Sequence, residues 1–210
     1  MNRKMGMAAS LVTLAAVVAF ALSMLFGCDA SSYLSSMFIA WGFVPMICAF
    51  AAVGRPDAKA AGMTAAAFAS VYAVFIMLVY FAQLTTVRLA GLSAEAAQLL
   101  DYSKYGLLFN YDLLGYAFMA LATFFIALTV EIKTTGDKWL KGLLFIHGIF
   151  AVTCVVMPIL GIFGGSGSAE AVAGGAGADM AFIGVLILEF WCAYFTPVCI
   201  LSFLHFKRLS

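Results

Sequence analysis

Charge is the scarcest feature of this 210-residue chain: Asp, Glu, Lys and Arg together make up 10% of it, against about 25% in an ordinary soluble domain. That scarcity excludes a dispersed soluble domain of this length. A net charge of +1 gives no argument for a nucleic-acid partner. The five cysteines, Cys28, Cys48, Cys154, Cys192 and Cys199, form no CxxC pair and no Cys/His spacing of a zinc site. Four of them fall in apolar runs, where a free thiol behaves as a small hydrophobe. There is no glycine-rich phosphate loop opening a helix, no Ser/His/Asp set in a workable order and no HExxH. The reading is accordingly no metal, no cofactor and no catalytic residue.

What fills the chain instead is apolar. Hydrophobic residues make up 65% of it and the mean hydropathy is +1.09, with the charges gathered into short clusters between apolar runs. This is the pattern of an integral membrane protein, and its first partner is the lipid bilayer. Six runs are long enough to span, at 7–26, 33–53, 62–85, 107–130, 140–163 and 180–206. They predict an all-α, six-transmembrane-helix bundle forming a single transmembrane domain over 1–210.

The first run follows Arg3 and Lys4 and ends in Leu25-Phe26-Gly27-Cys28, which resembles the bacterial lipobox. Phe26 is bulky for that motif and further spans follow, so an uncleaved helix is the preferred reading, with lipidation of Cys28 left open. Pro45 should kink the second span. The third opens with the small residues Gly62, Ala65, Ala66 and Ala69, which allow close helix packing. Leu89 to Tyr105 is too polar to span. It reads as a short interfacial helix in the third loop, capped by Ser93, with Glu95, Asp101 and Lys104 toward water. Trp139 is placed like an interface anchor, and Gly161 to Asp179, rich in Gly, Ala and Ser, reads as a mobile loop.

An even number of spans puts both termini on one side. Arg3, Lys4, Arg55, Lys59, Lys133, Lys138, Lys141, Lys207 and Arg208 then share that side, against Arg88 and Lys104 on the other. Nine against two predicts cytoplasmic termini in a multi-pass protein of the plasma membrane. The opposite face collects Asp29, Glu95, Asp101, Asp112, Glu170 and Asp179.

Candidate functional residues are the polar ones an apolar helix cannot easily hide. Glu189 lies roughly 15 Å down its helix, so its carboxyl should face the bundle interior, either as a proton or cation site or as a protonated group bonded to a neighbouring helix. Tyr80, Gln83 and Val87 share one helix face, and Asp112 and Tyr116 share another. If the two faces meet, Arg88 can bridge Asp112 and reach toward Glu189; otherwise Arg88 and Asp112 snorkel to the headgroups. Asn110 adds a polar group at the same rim. His147, roughly 9 Å above Lys141, reads as a histidine bonded to a neighbouring helix, with a water-linked relay to Glu189 as the competing view. His205 reads as an interfacial side chain.

The segment Gly106-Leu107-Leu108-Phe109-Asn110-Tyr111-Asp112-Leu113-Leu114-Gly115-Tyr116, taken with Val79-Tyr80-Phe81-Ala82-Gln83-Leu84-Thr85-Thr86-Val87-Arg88, resembles a group of small multi-span bacterial membrane proteins of unassigned role. The likeness runs from Tyr72 to Pro158 and implies no activity. The function expected from the residues is an outward-facing intramembrane polar site for small-solute or ion transport or for ligand binding. The alternative is an accessory or structural membrane subunit whose polar residues serve helix packing. A second alternative, a membrane enzyme, requires Glu189, Tyr194 and His147 around one cavity. Oligomeric state is left open.

Overall fold

The computed structural model describes residues 1–162 and 176–209, with the backbone alone for 176–181. Among the described residues the chain is helical throughout, without a strand. The helices are α1 (Asn2–Leu25), α2 (Asp29–Val53), α3 (Lys59–Ala82), α4 (Ala94–Leu100), α5 (Leu107–Ala127), α6 (Thr135–His147), α7 (Ile149–Ile159) and α8 (Ala176–Arg208). Six stretches are long and apolar enough to cross a membrane: Asn2–Leu25, Asp29–Val53, Pro56–Val87, Leu107–Ala127, Thr135–Ile159 and Phe182–Arg208. The chain is therefore a multi-pass membrane protein, and the large apolar side chains it leaves exposed along these helices are the surface that lipid covers.

The helices pack as a closed ring. α1 lies between α2 and α8, α2 packs on α3, α3 on α5, α5 on both α6 and α7, and α6 closes on α8. Small residues permit the closest approaches. Gly62 faces Ala51 of α2, and Gly6 of α1 faces the ring of Phe206 of α8, so that a β-carbon at Gly6 would come within 2.7 Å of that ring. The Gly6–Phe206 contact also puts the two termini at the same end of the ring. The middle is filled by Phe43, Tyr72 and Phe195, all fully buried, with ring centroids 5.4 Å apart for Phe43 and Tyr72 and 6.2 Å for Phe43 and Phe195.

Three elements depart from the expected boundaries. The third span continues past Ala82 as a π turn over Gln83–Val87, which places one extra residue in the turn and shifts the face presented by everything after it. The fifth span is two helices, because Gly148 makes and receives i→i−3 bonds with Phe145 and Ala151. A β-carbon at Gly148 would stand 2.9 Å from the Phe124 Cβ, so a bare backbone is what lets α5 come this close. α8 begins at Ala176, four residues before the expected start, and 163–175 of the loop expected over 161–179 lie outside the described residues. Pro45 sits within the uninterrupted α2. In the third loop, Ser93 Oγ accepts from the Ala96 N–H at 3.3 Å as the cap of α4, and a 3-10 turn follows over Tyr102–Lys104.

Candidate functional site

At the end of the ring opposite the termini, the loop between α3 and α5 folds back onto both helices. Gln83 pins it: its Nε2 donates to the Leu100 carbonyl at 2.7 Å and its Oε1 accepts from the Tyr102 N–H at 3.1 Å. Gly106 lets the loop close, because a side chain there would collide with the Gln98 carbonyl. Between these two fixed points Tyr105 takes a left-handed backbone, φ 54°. A bulky residue pays for that conformation, and its surroundings must hold it there.

This loop delivers Tyr102 to Asp112, the second-turn residue of α5. Asp112 is 2% exposed. Its Oδ2 accepts from the Tyr102 hydroxyl at 3.1 Å, while Oδ1 has no hydrogen-bond partner among the described residues. Tyr80 approaches the same carboxyl, and the phenols of Tyr72 and Tyr116 are near enough to interact with it electrostatically. Burial first, and then the adjacent Asp112, push the Tyr102 phenol well above its usual value, so it stays a neutral donor. Four tyrosines thus surround one buried carboxyl that is only half satisfied.

Above them lies a cavity of about 310 Å³. Asp29, Ser32, Tyr33, Tyr80, Tyr102 and Tyr105 supply its polar side. Phe20 and Met24 of α1, Phe109 of α5 and Ile183, Val185, Ile187 and Leu188 of α8 supply its apolar walls. Tyr33 and Tyr80 stack at 5.4 Å, and Tyr102 meets them at 6.1 and 6.0 Å. Among the described residues, no Lys, Arg or His lines the cavity.

Of the residues singled out in the sequence, Tyr80, Asp112 and Tyr116 come together here, and Gln83 sits beside them with its amide committed to the loop. Asn110 and Arg88 are exposed. Of the two arrangements open to Arg88, the bridge to Asp112 is absent: the four ion pairs among the described residues are Arg55–Asp57, Lys133–Glu131, His205–Asp137 and Arg208–Asp137. Arg88 is exposed, and Tyr102 takes the place at Asp112 instead. Glu189 is half-buried on α8, paired with neither Arg88 nor Asp112, and its Oε1 is buried without a partner among the described residues.

His147 belongs to a different cluster. It is 1% exposed, accepts the Trp191 indole N–H on Nε2 at 3.1 Å and shares a 2.8 Å bond between Nδ1 and Thr123 Oγ1. Indole only donates, so Nε2 must be bare. The Thr123 hydroxyl gives its own proton to the Ala120 carbonyl at 2.8 Å. The imidazole is therefore the neutral Nδ1–H tautomer, donating to Thr123. Tyr194, stacked on His147 at 5.8 Å, donates its hydroxyl to the Leu143 carbonyl. Neither group is left as a free base or acid.

The sequence reading missed two features. Tyr102 gave no signal, since its role depends on how the loop folds. Asp137 did give one: Thr134-x-x-Asp137 has the spacing of a capping box. The carboxylate is 3% exposed. Its Oδ1 accepts from His205 Nδ1 and Arg208 Nη2, both at 2.7 Å, and its Oδ2 from the Thr134 N–H, the Thr134 hydroxyl and the Lys133 N–H. His205, expected at the interface, is held inside by this carboxylate. Comparison with known protein families, with curated proteins and with solved structures finds no match to the chain.

Proposed function

We propose that this chain is a plasma-membrane protein with cytoplasmic termini that takes a small solute from outside into the tyrosine-lined cavity above Asp112. The observation that carries the reading is the conjunction of a cavity of about 310 Å³ with a buried carboxyl whose Oδ1 has no partner among the described residues. That volume lies at the small end of the ligand-site range of about 300–1,000 Å³. An unmet carboxylate oxygen in an apolar interior is costly unless something satisfies it. Below the site, Phe43, Tyr72 and Phe195 fill the bundle axis. This conformation is thus a binding state, and passage through the bundle would require those rings to move.

Thiol labelling in intact cells tests the reading. Ser32 is buried and lines the cavity, and Cys28 near it is exposed. In a Cys28→Ser, Ser32→Cys protein, a membrane-impermeant thiol reagent added outside should modify residue 32, and modification only from the cytoplasmic side, or none, would defeat the proposal. The second reading, an accessory subunit acting through a partner, draws on Gln83 and His147, whose polar atoms are spent on internal bonds. It predicts that residue 32 stays unlabelled until a partner is removed.

A further inference from the structure

We infer that the solute is a compact organic cation, an alkylammonium or quaternary ammonium group, held by the tyrosine cluster and the two carboxyls on either side of it. The inference rests on the proposed solute site and adds its chemistry.

Charge complementarity comes first. Among the described residues lining the cavity, Asp29 is the one charged side chain. Behind Tyr80 and Tyr102 stands Asp112, with Oδ1 unmet among the described residues. An anion entering this space would find acids and no basic group, whereas a cation lowers the cost of both carboxylates. Tyr102 stays neutral and its hydroxyl proton is committed to Asp112 Oδ2, which leaves its ring as the surface it can offer a ligand.

The aromatic surface points the same way. Tyr33, Tyr80 and Tyr102 are within 5.4 to 6.1 Å of one another, and Tyr102 and Tyr105 both pack on Phe109, at 5.1 and 4.9 Å. Rings gathered around a cavity in this way present the negative potential of their π faces to a positive guest, the arrangement by which aromatic cages hold quaternary ammonium groups. The held backbone of Tyr105 keeps one such ring in place.

The alternative cation, a bare metal ion, fits less well. Ca²⁺ takes about 6–8 oxygen ligands and Mg²⁺ close to octahedral coordination. No group of three or more metal-ligating side chains exists among the described residues. Ile183, Ile187 and Leu188 of α8 instead give the cavity an apolar wall, which suits the methyl or methylene groups of an organic cation.

The test uses the full-length protein in lipid nanodiscs and three probes of nearly one shape: choline, its neutral isostere 3,3-dimethyl-1-butanol, and the anion 3,3-dimethylbutyrate. Equilibrium titration by calorimetry should show choline binding at least about tenfold more tightly than the alcohol, within the range cation–π and charge terms supply. Binding of the anion should be undetectable. Asp112→Asn and Asp29→Asn should each weaken choline by about fivefold or more and leave the alcohol unchanged, since the charge is what they remove. Should Asp112→Asn fail to fold, Asp29→Asn at the exposed mouth carries the same comparison. Equal binding of alcohol and choline, or tighter binding of the anion, overturns the cation assignment while the solute site stands. If none of the three binds, the cation assignment falls, and labelling of Ser32→Cys then decides the site separately: accessible, it survives for another solute; inaccessible, it falls as well.

Discussion

The proton of His147 is fixed by what surrounds it. Trp191 can only donate, Thr123 has already given its proton to Ala120, and the imidazole is left with Nδ1–H as its only donor. A charged imidazolium would carry a second N–H aimed at the indole N–H, so this ring is built to be neutral and to join α5, α6 and α8. Replacing it by leucine strips the buried Trp191 N–H of its acceptor, and His147→Leu should cost about 1–3 kcal/mol of stability, read from thermal unfolding in detergent. Adding Trp191→Phe to His147→Leu should cost about 1 kcal/mol less than Trp191→Phe alone, because the orphaned donor is already gone. That histidine's bond to a neighbouring helix was legible in the sequence, as a polar residue in an apolar run must find a partner. Its tautomer was not, since the tautomer is set by Trp191, 44 positions away. Asp112 was legible for the same reason as His147, and Tyr102, its actual partner, was not, because loop tyrosines have water as an alternative.

The helices themselves were readable from hydrophobic runs, and the places where the reading slipped are places where packing overrides a smooth pattern. The break at Gly148 goes with the close approach of Phe124, and the π turn at Gln83–Val87 continues α3 without a proline or glycine to mark it. The turn has a use: it brings the Gln83 amide to two backbone groups of the following loop. Gln83→Leu should release that loop and raise hydrogen exchange at the Tyr102 amide by about tenfold or more, with the amides inside α3 unchanged. Equal protection in the variant would mean that Gly106 and the tyrosine packing hold the loop without it. At the other end of the ring Asp137 joins the start of α6 to the end of α8 through His205 and Arg208. Asp137→Ala removes the cap and leaves a buried histidine without its acceptor, so a loss of about 3 kcal/mol is expected. Thr134→Ala removes the cap hydroxyl alone and should cost about 1 kcal/mol. Both are measurable by denaturant titration of the purified protein, and equal losses would show that the link to α8 contributes nothing.

In the whole ring, the connections alternate between two ends, and the polar groups divide with them. One end receives the turn at Arg55, the turn before α6 and both termini, and with them nine of the eleven Lys and Arg residues; the other receives Arg88 and Lys104. Basic side chains near span ends resist translocation, so the end with nine is proposed to face the cytoplasm, which turns the tyrosine cavity outward. The two halves of this argument are independent: the ring sets which residues share an end, and the charge bias sets which end is inside. Lys138 is exposed on the first end and Glu95 on the second. Single cysteines at these positions, in a protein with Cys28 replaced by serine, should therefore label in opposite patterns in intact cells, residue 95 from outside and residue 138 only after the membrane is opened. The reverse pattern would turn the molecule over, placing the cavity and its acidic lining in the cytoplasm, where the bound solute would have to be an internal one. Labelling of both from the same side would break the ring itself, since the single crossing of α5 between the loop after α3 and the turn before α6 puts them on opposite sides.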